Sequence, residues 1–329
     1  MRTEPSVVGD GRGPVLPYPS GWFCLALSRE LAPGAVLSRR FAGEDVVLYR
    51  TRDGRPRAVR PYCPHLGAHL GLGTVEGRNL VCPFHNFAYA PDGACVHAPG
   101  GRAPRIRLEH HTLRERDGFV FVWRGHDDAP PTWEIPGAPG AIPPPTAVWT
   151  ADVLTHAQDL SENSLDYRHL NTLHGVAVRE LVPPQAEGPF LRLRLQLAPK
   201  RFPALKITSE YAFLLAGVGC FRTDTSMPPL GLAIHLWAMH TPTGPRSTRM
   251  LVAAACTGLD GTPRSALPLL QQPLARSVAR GILWGAVNAL KDDLKIWNTK
   301  RYEPRPRLAA GDEAIGSYRS WVRQFYPPS

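Results

Sequence analysis

No window of this 329-residue chain approaches the roughly 18 uninterrupted apolar residues of a membrane span. Nor does any run of Lys and Arg reach the five to eight or so that mark a nucleic-acid patch, although the formal net charge is +10. The charge therefore reads as a preference for Arg on the surface, with no nucleic-acid partner implied. It also suits an acidic electron-transfer protein steered to the surface by charge. The opening stretch MRTEPSVVGDGRGPVLPYPS lacks the apolar core of a secretory signal, so residues 1–20 are expected to be a flexible lead-in. Cysteine is sparse, at six residues. With no export signal, the expectation is a reducing cytoplasm in which Cys serves as metal ligand or small buried residue rather than in disulfides. Internal repeats are absent as well.

What the chain has is proline, 35 residues of it, with 43% hydrophobic content. That suits a loop-rich globular protein with two cores. From Gly21 the text reads as short strands: Trp22 to Leu27, Val46 to Tyr49, Ala58 to Val59, and Phe119 to Trp123. Gly and Pro pairs separate them. A Pro-rich passage, residues 129–145, is expected to link or wrap domains. Beyond it the pattern changes. Residues Asp159 to His174 have helical spacing, and Pro183-Pro184 is expected to close that region. Leu191, Leu193, Leu195 and Leu197 alternate with polar residues, the period of a half-buried strand. Further strands are expected at Ala204 to Leu215, Leu232 to His240 and Arg249 to Ala255. A long helix is expected from about Ser265 to Lys300, broken or kinked at Pro273 and weakened at Gly281 and Gly285. The expected fold class is α+β: an all-β domain over 21–125 and a second domain over 126–329.

The first constellation lies in CPHLGAHLGLGTVEGRNLVCPFH. Cys63-x-His65 is followed by Cys82-x-x-His85. Two thiolates suit one iron of a 2Fe–2S cluster, and two imidazoles suit the other and raise its potential. A zinc finger groups two Cys and then two His, whereas each loop here carries one of each. Gly67, Gly71, Gly73 and Gly77 let the two loops turn closely. His69 has no ligand spacing and is expected to bond within its loop, and Cys95 is expected to be a buried structural residue. The run CPHLGAHLGLGTVEGRNLVCPFHNFAYAPDGACV resembles the Rieske domain of the Rieske non-haem iron oxygenases. That family usually has Gly-Trp after the last cluster His, where this chain has Asn86-Phe87.

The second constellation is QDLSENSLDYRHLNTLHGV. His169 and His174, with a carboxylate, would make the facial triad of O2-activating Fe(II) enzymes. Asp166, three residues before His169, suits a carboxylate that orients the imidazole from behind. Alone, a His pair beside an Asp is common polar structure; beside a cluster-binding module it points to iron. The pattern is similar to the family's iron motif. That resemblance implies His169 and His174 as ligands of a mononuclear iron and Asn163 beside its open face. It further implies Asp166 as the bridge to a cluster His, by position His85, of a neighbouring subunit in a head-to-tail homotrimer. Downstream, Lys291-Asp292-Asp293-Leu294-Lys295-Ile296-Trp297 resembles the family's third-ligand segment, which selects Asp293, with Asp292 as the alternative.

The tail, with Ile296-Trp297-Asn298-x-Lys300 and Trp321-x-x-Gln324-Phe325-Tyr326, resembles the cholesterol 7-desaturase and 3-ketosteroid 9α-hydroxylase branch of these oxygenases. The resemblance implies a helix-grip catalytic domain, a curved antiparallel sheet around a long C-terminal helix. Cavity liners would come from Leu205 to Leu215 and Leu232 to Met239, most of which would serve in core packing. It implies O2 chemistry fed by a ferredoxin or flavin reductase drawing on NAD(P)H, with hydroxylation or desaturation of a small apolar polycycle such as a sterol or steroid. Two other readings stand beside this one: an oxygenase of an aromatic or natural-product intermediate, and a Rieske electron carrier with a non-catalytic binding domain.

Overall fold

The computed structural model describes residues 13–137, 142–200, 208–264, 267–269 and 271–327. Most of the lead-in, the start of the strand expected from Ala204, including Leu205, and the expected helix start at Ser265 lie outside them.

Among the described residues the N-terminal half holds eleven short strands: β1 (Gly21–Leu27), β2 (Val36–Phe41), β3 (Glu44–Arg50), β4 (Pro56–Val59), β5 (Thr74–Glu76), β6 (Asn79–Val81), β7 (Ala88–Tyr89), β8 (Cys95–His97), β9 (His110–His111), β10 (Leu113–Arg116) and β11 (Phe119–Arg124). They form three antiparallel sheets, ordered β1-β11-β10, β2-β3-β4-β9 and β5-β6-β7-β8. Every residue of β1 is buried. This explains its unbroken apolar run, since a strand covered on both faces has no need to alternate. Phe23 and Leu25 pack on β2 and β3, whereas Trp22 and Cys24 pack toward Trp237 and Met239 of the second half. A fully buried Trp such as Trp22 is worth about 3–5 kcal/mol, judged by truncation. Hydrogen bonds tie the same seam: Thr241 Oγ1 donates to the Cys24 carbonyl at 2.6 Å and Ala42 N to the Pro242 carbonyl at 2.8 Å. The Pro-rich passage wraps this joint, its Trp133 and Ala129 carbonyls receiving the indole N–H groups of Trp22 and Trp123, each at 2.9 Å.

The second half is one seven-stranded antiparallel sheet. Its strands are β12 (Ala147–Val153), β13 (Val176–Glu187), β14 (Phe190–Pro199), β15 (Ser209–Ala216), β16 (Cys220–Met227), β17 (Leu232–Gly244) and β18 (Ser247–Gly258), in the order β12-β18-β17-β16-β15-β14-β13. The sheet grips α3 (Gln271–Trp297), whose Ala275 and Ala279 are fully buried against Leu232 and Ile234. Small side chains on that helix face let it lie close to the sheet. The α+β architecture is the expected one.

Three expectations fail in detail. The helix expected over Asp159 to His174 is α1 (Ala157–Glu162), a 3-10 turn and α2 (Tyr167–Thr172), broken at Asp166, whose backbone is non-helical. Pro183-Pro184 closes nothing: β13 runs straight through it, because β13 is an edge strand and the ladder skips both prolines between Val182 and Gln185. Pro273 neither breaks nor kinks α3, since it falls in the first turn, where the missing N–H has no partner to lose. A further helix, α4 (Glu313–Val322), packs Ala314, Tyr318 and Trp321 against Leu191, Leu193 and Leu195 of β14.

Candidate metal centres

The β4–β5 and β6–β7 loops carry the first donor set. Cys63 and Cys82 are buried at 2% and 1% exposure, whereas His65 is exposed and His85 half-buried. The thiols thus point inward and the imidazoles sit at the surface, with ring centroids 4.9 Å apart. Each loop is a tight turn: Gly67 N bonds the Cys63 carbonyl at 2.9 Å and Asn86 N the Cys82 carbonyl at 3.1 Å. Gly73 brings the loops together, because a Cβ there would collide with the Val81 carbonyl.

The sulfurs are also hydrogen-bonded. Tyr89 Oη lies 3.0 Å from Cys63 Sγ, and burial pushes the Tyr89 hydroxyl up, so it stays a donor to a thiolate. Backbone N–H groups of Phe84 and His85 reach Cys82, opposing the rise that burial imposes on its thiol. Buried thiolates bonded by O–H and N–H donors, beside two solvent-side imidazoles, fit a 2Fe–2S group. At Asn86 the backbone φ is +55°, the left-handed region that Gly favours and Asn tolerates best among other residues. Phe87 stacks on His65 at 4.3 Å and 11°. Asn86-Phe87 therefore does what Gly-Trp could do there: make the turn and cover an imidazole. His69 bonds within its loop, accepting from Gly71 N at 3.1 Å and lying 3.3 Å from Asp45. Cys95 is half-buried rather than buried, its Sγ beside the His97 carbonyl at 3.5 Å.

The second donor set is assembled from α2, the turn after it, and α3. His169 lies in the first turn of α2, His174 follows its end, and Gly175 at φ +63° turns the chain into β13. Asp293 Oδ2 lies 3.2 Å from His174 Nε2, and Oδ1 lies 3.9 Å from His169 Nε2. One ligand atom from each residue falls within 4.8 Å of the others. Asp293 is 3% exposed, whereas Asp292 faces solvent and pairs with Lys295 at 2.8 Å. Burial raises the Asp293 carboxyl and lowers His169. A neutral imidazole is the form that can give its Nε2 lone pair to a metal. Two imidazoles and one carboxylate converging from one side fit an iron with open positions.

Asp166 orients His169 through its backbone and not, as expected, through its carboxylate. Its carboxylate caps α2, Oδ1 accepting from His169 N at 3.1 Å. The Asp166 backbone carbonyl, 2.5 Å from His169 Nδ1, is what orients the ring and leaves Nε2 facing Asp293. The carboxylate stands 3.8 Å from Nδ1 and remains a third exposed. Asn163 Nδ2 is 3.1 Å from His169 Nε2, at the mouth of the donor set.

Beside these residues lies a cavity of about 310 Å³. Its walls are largely apolar: Leu197, Phe213, Leu236, Val252 and Ala289 are among them. Tyr211, Phe213, Leu236 and Ala238 come from the two segments expected to supply liners. Sequence reasoning missed His240, which also lines the cavity, and the tail that braces the site. Arg319 of α4 holds Glu162 of α1 through two bonds, 2.6 and 3.0 Å, both side chains largely buried. Tyr318 donates to the Gln158 carbonyl at 3.2 Å, and Lys300 meets buried Asp159 at 3.0 Å. The signal for these was the Trp321-to-Tyr326 tail, which carried likeness without indicating a contact.

Comparison with known proteins places these geometries in a family. The model of the Rieske [2Fe-2S] domain matches residues 21–111, and that of the 3-ketosteroid 9alpha-hydroxylase C-terminal domain matches residues 122–326. The cholesterol 7-desaturase nvd of Bombyx mori is 31% identical, over 94% of this chain and 70% of that protein. The probable 3-ketosteroid-9-alpha-monooxygenase, oxygenase component, of Rhodococcus rhodochrous is 26% identical, over 94% of this chain and 80% of that protein. Among solved structures, apo dicamba monooxygenase shares the fold with a TM-score of 0.69 at 18% identity, over 95% of this chain and 98% of that one.

Proposed function

This chain belongs to the Rieske non-haem iron oxygenases with a 3-ketosteroid 9α-hydroxylase type of C-terminal domain, and on that premise we propose that it hydroxylates or desaturates a sterol or steroid at an iron held by His169, His174 and Asp293. The enzyme is an oxidoreductase with a 2Fe–2S cluster and a mononuclear iron, an oxygenase component that takes its electrons from a reductase or ferredoxin. We assign the cluster to Cys63, His65, Cys82 and His85, within a domain over 21–125, and the iron to a catalytic domain over 126–329.

The observation that carries the substrate reading is the largely apolar cavity of about 310 Å³ opening directly on His169, His174 and Asp293. Relatives named for cholesterol and 3-ketosteroids favour a polycyclic occupant. Bound at that triad, the iron supplies O2 activation with electrons relayed from the cluster. The residues do the rest. Asp166 fixes the His169 tautomer through its carbonyl, so that Nε2 is free to bind metal. Leu236, Phe213 and Val252 exclude water and hold an apolar skeleton against the open face. Asn163 stands where it can bond a ligand on that face.

The relay favours assembly. His65 and His85 lie at a surface rimmed by exposed Tyr62, Leu66 and Phe84. Asp166 is accessible at the back of His169. A head-to-tail homotrimer would set His85 of one copy beside Asp166 of the next. Among the described residues no helix is long and apolar enough to cross a membrane, and we place the enzyme in the cytoplasm.

The test is turnover of sterols, 3-ketosteroids and aromatic acids with a surrogate reductase, NADH and O2. A polycycle that gains one oxygen or loses two hydrogens supports the reading. Turnover of aromatic acids alone overturns it.

A further inference from the structure

His240 lines the cavity but has no part in the iron site. It is 2% exposed and shares a face of β17 with Leu236 and Ala238. Its Nδ1 lies 2.9 Å from Ser161 Oγ, and Ser161 Oγ lies 2.8 Å from the carbonyl of fully buried Val218. A carbonyl only accepts, and a buried one is costly to leave unbonded. Ser161 gives its single proton to that carbonyl, which the His240 ring also meets, so the side of the ring facing Ser161 and Val218 is the donor side and Nδ1 carries the proton. Burial also holds the imidazole neutral, its pKa pushed down to about 3. The ring therefore carries one proton, on Nδ1, and Nε2 is left with a bare lone pair in an otherwise apolar wall.

We propose that His240 Nε2 accepts a hydrogen bond from a substrate hydroxyl, so that the cavity takes a hydroxylated polycycle, a 3-hydroxysterol, in preference to the matching ketone. A ketone oxygen has no proton to offer and would face Nε2 lone pair to lone pair. This deepens the sterol reading and rests on it. It also separates the two relatives, one named for an alcohol and the other for a ketone.

The experiment is equilibrium binding to the anaerobic holoenzyme, followed by calorimetry, of three matched probes: cholesterol, 5-cholesten-3-one and 5-cholestene. One hydrogen bond is expected to favour cholesterol about tenfold over both others. His240→Leu should bring all three to within about twofold of one another. His240→Gln, which brings an amide donor, should raise ketone binding above that of 5-cholestene. Cluster absorbance and iron content show that each variant is folded, and the Gln variant decides if the Leu variant is not. Equal binding of ketone and alcohol by the wild type, or an alcohol preference that survives in His240→Leu, overturns the proposal. If 5-cholestene binds and the hydroxyl adds nothing, the proposal falls while the sterol reading stands; if no probe binds, both fall.

Discussion

Asp293 meets His174 at 3.2 Å, while its neighbour Asp292 turns outward to Lys295 at 2.8 Å. Adjacent residues on a helix point roughly 100° apart, so only one of the two can face the imidazoles. Asp293→Ala should lower iron from about three to about two atoms per chain and abolish turnover, with the cluster spectrum retained. Asp292→Ala should leave iron content and turnover near the wild-type level. Metal analysis beside visible absorbance checks both.

Asp166→Asn separates capping from relay. Asn caps a helix as well as Asp does, and the backbone carbonyl that orients His169 is untouched. Melting temperature and iron content should hold. Turnover should fall about 10–100-fold if the carboxylate carries contact to a neighbouring cluster. Reduction of the cluster by a surrogate reductase should keep its wild-type rate.

At Asn86, with φ +55°, Asn86→Ala should cost about 1 kcal/mol, because Ala has no local side-chain bond to offset the strained backbone. Asn86→Gly should be near neutral. Thermal loss of cluster absorbance gives the ranking.

Arg319 is expected to matter for the iron from a distance. Arg319→Ala leaves Glu162 buried and unpaired one residue from Asn163, at a cost of about 3–5 kcal/mol. Urea unfolding should show it, and mononuclear iron should be lost before the cluster. Adding Glu162→Gln should recover part of the loss.

Acid lability follows from His156, which caps α1 by accepting from Gln158 N at 3.1 Å and can do so only when neutral. Burial pushes it down to about 4, against about 6.5 when unfolded. Between those values the unfolded chain takes up a proton that the fold refuses. Stability is therefore full above pH 6.5 or so and declines as pH falls toward 4, by about 3 kcal/mol from this residue. Urea midpoints across that range test it. His156→Asn, which keeps a capping oxygen, should reduce the slope by about one proton.

Much of this site is legible in the sequence because its signals are short-range. Cys63-x-His65 and Cys82-x-x-His85 each fit on one loop, and His169 and His174 bracket one helix turn. Leu191 to Leu197 alternate because one face of β14 is wet. What escaped depends on packing between distant segments. Helical spacing over Asp159 to His174 could not show that Asp166 leaves the helix and caps its second part. Pro183-Pro184 reads as a stop unless β13 is known to be an edge. The partner that gives His240 its tautomer, Ser161, lies far away in the chain and is brought near only when α1 docks on the sheet.

The two prolines of β13 also govern how copies of this chain can meet. An outermost strand ordinarily offers its free amides to any passing strand, and that is how sheets fuse into larger sheets or fibrils. Strand N–H groups alternate between the paired and the free side, so of Pro183 and Pro184 one takes an amide hydrogen out of that row midway along it, where the ladder with β14 is irregular between Glu180 and Gln185. The β13 rim of the sheet is interrupted as a template for continuation into another molecule. Along β13, association through side-chain surfaces is favoured over fusion of sheets, and there shape and charge select the partner.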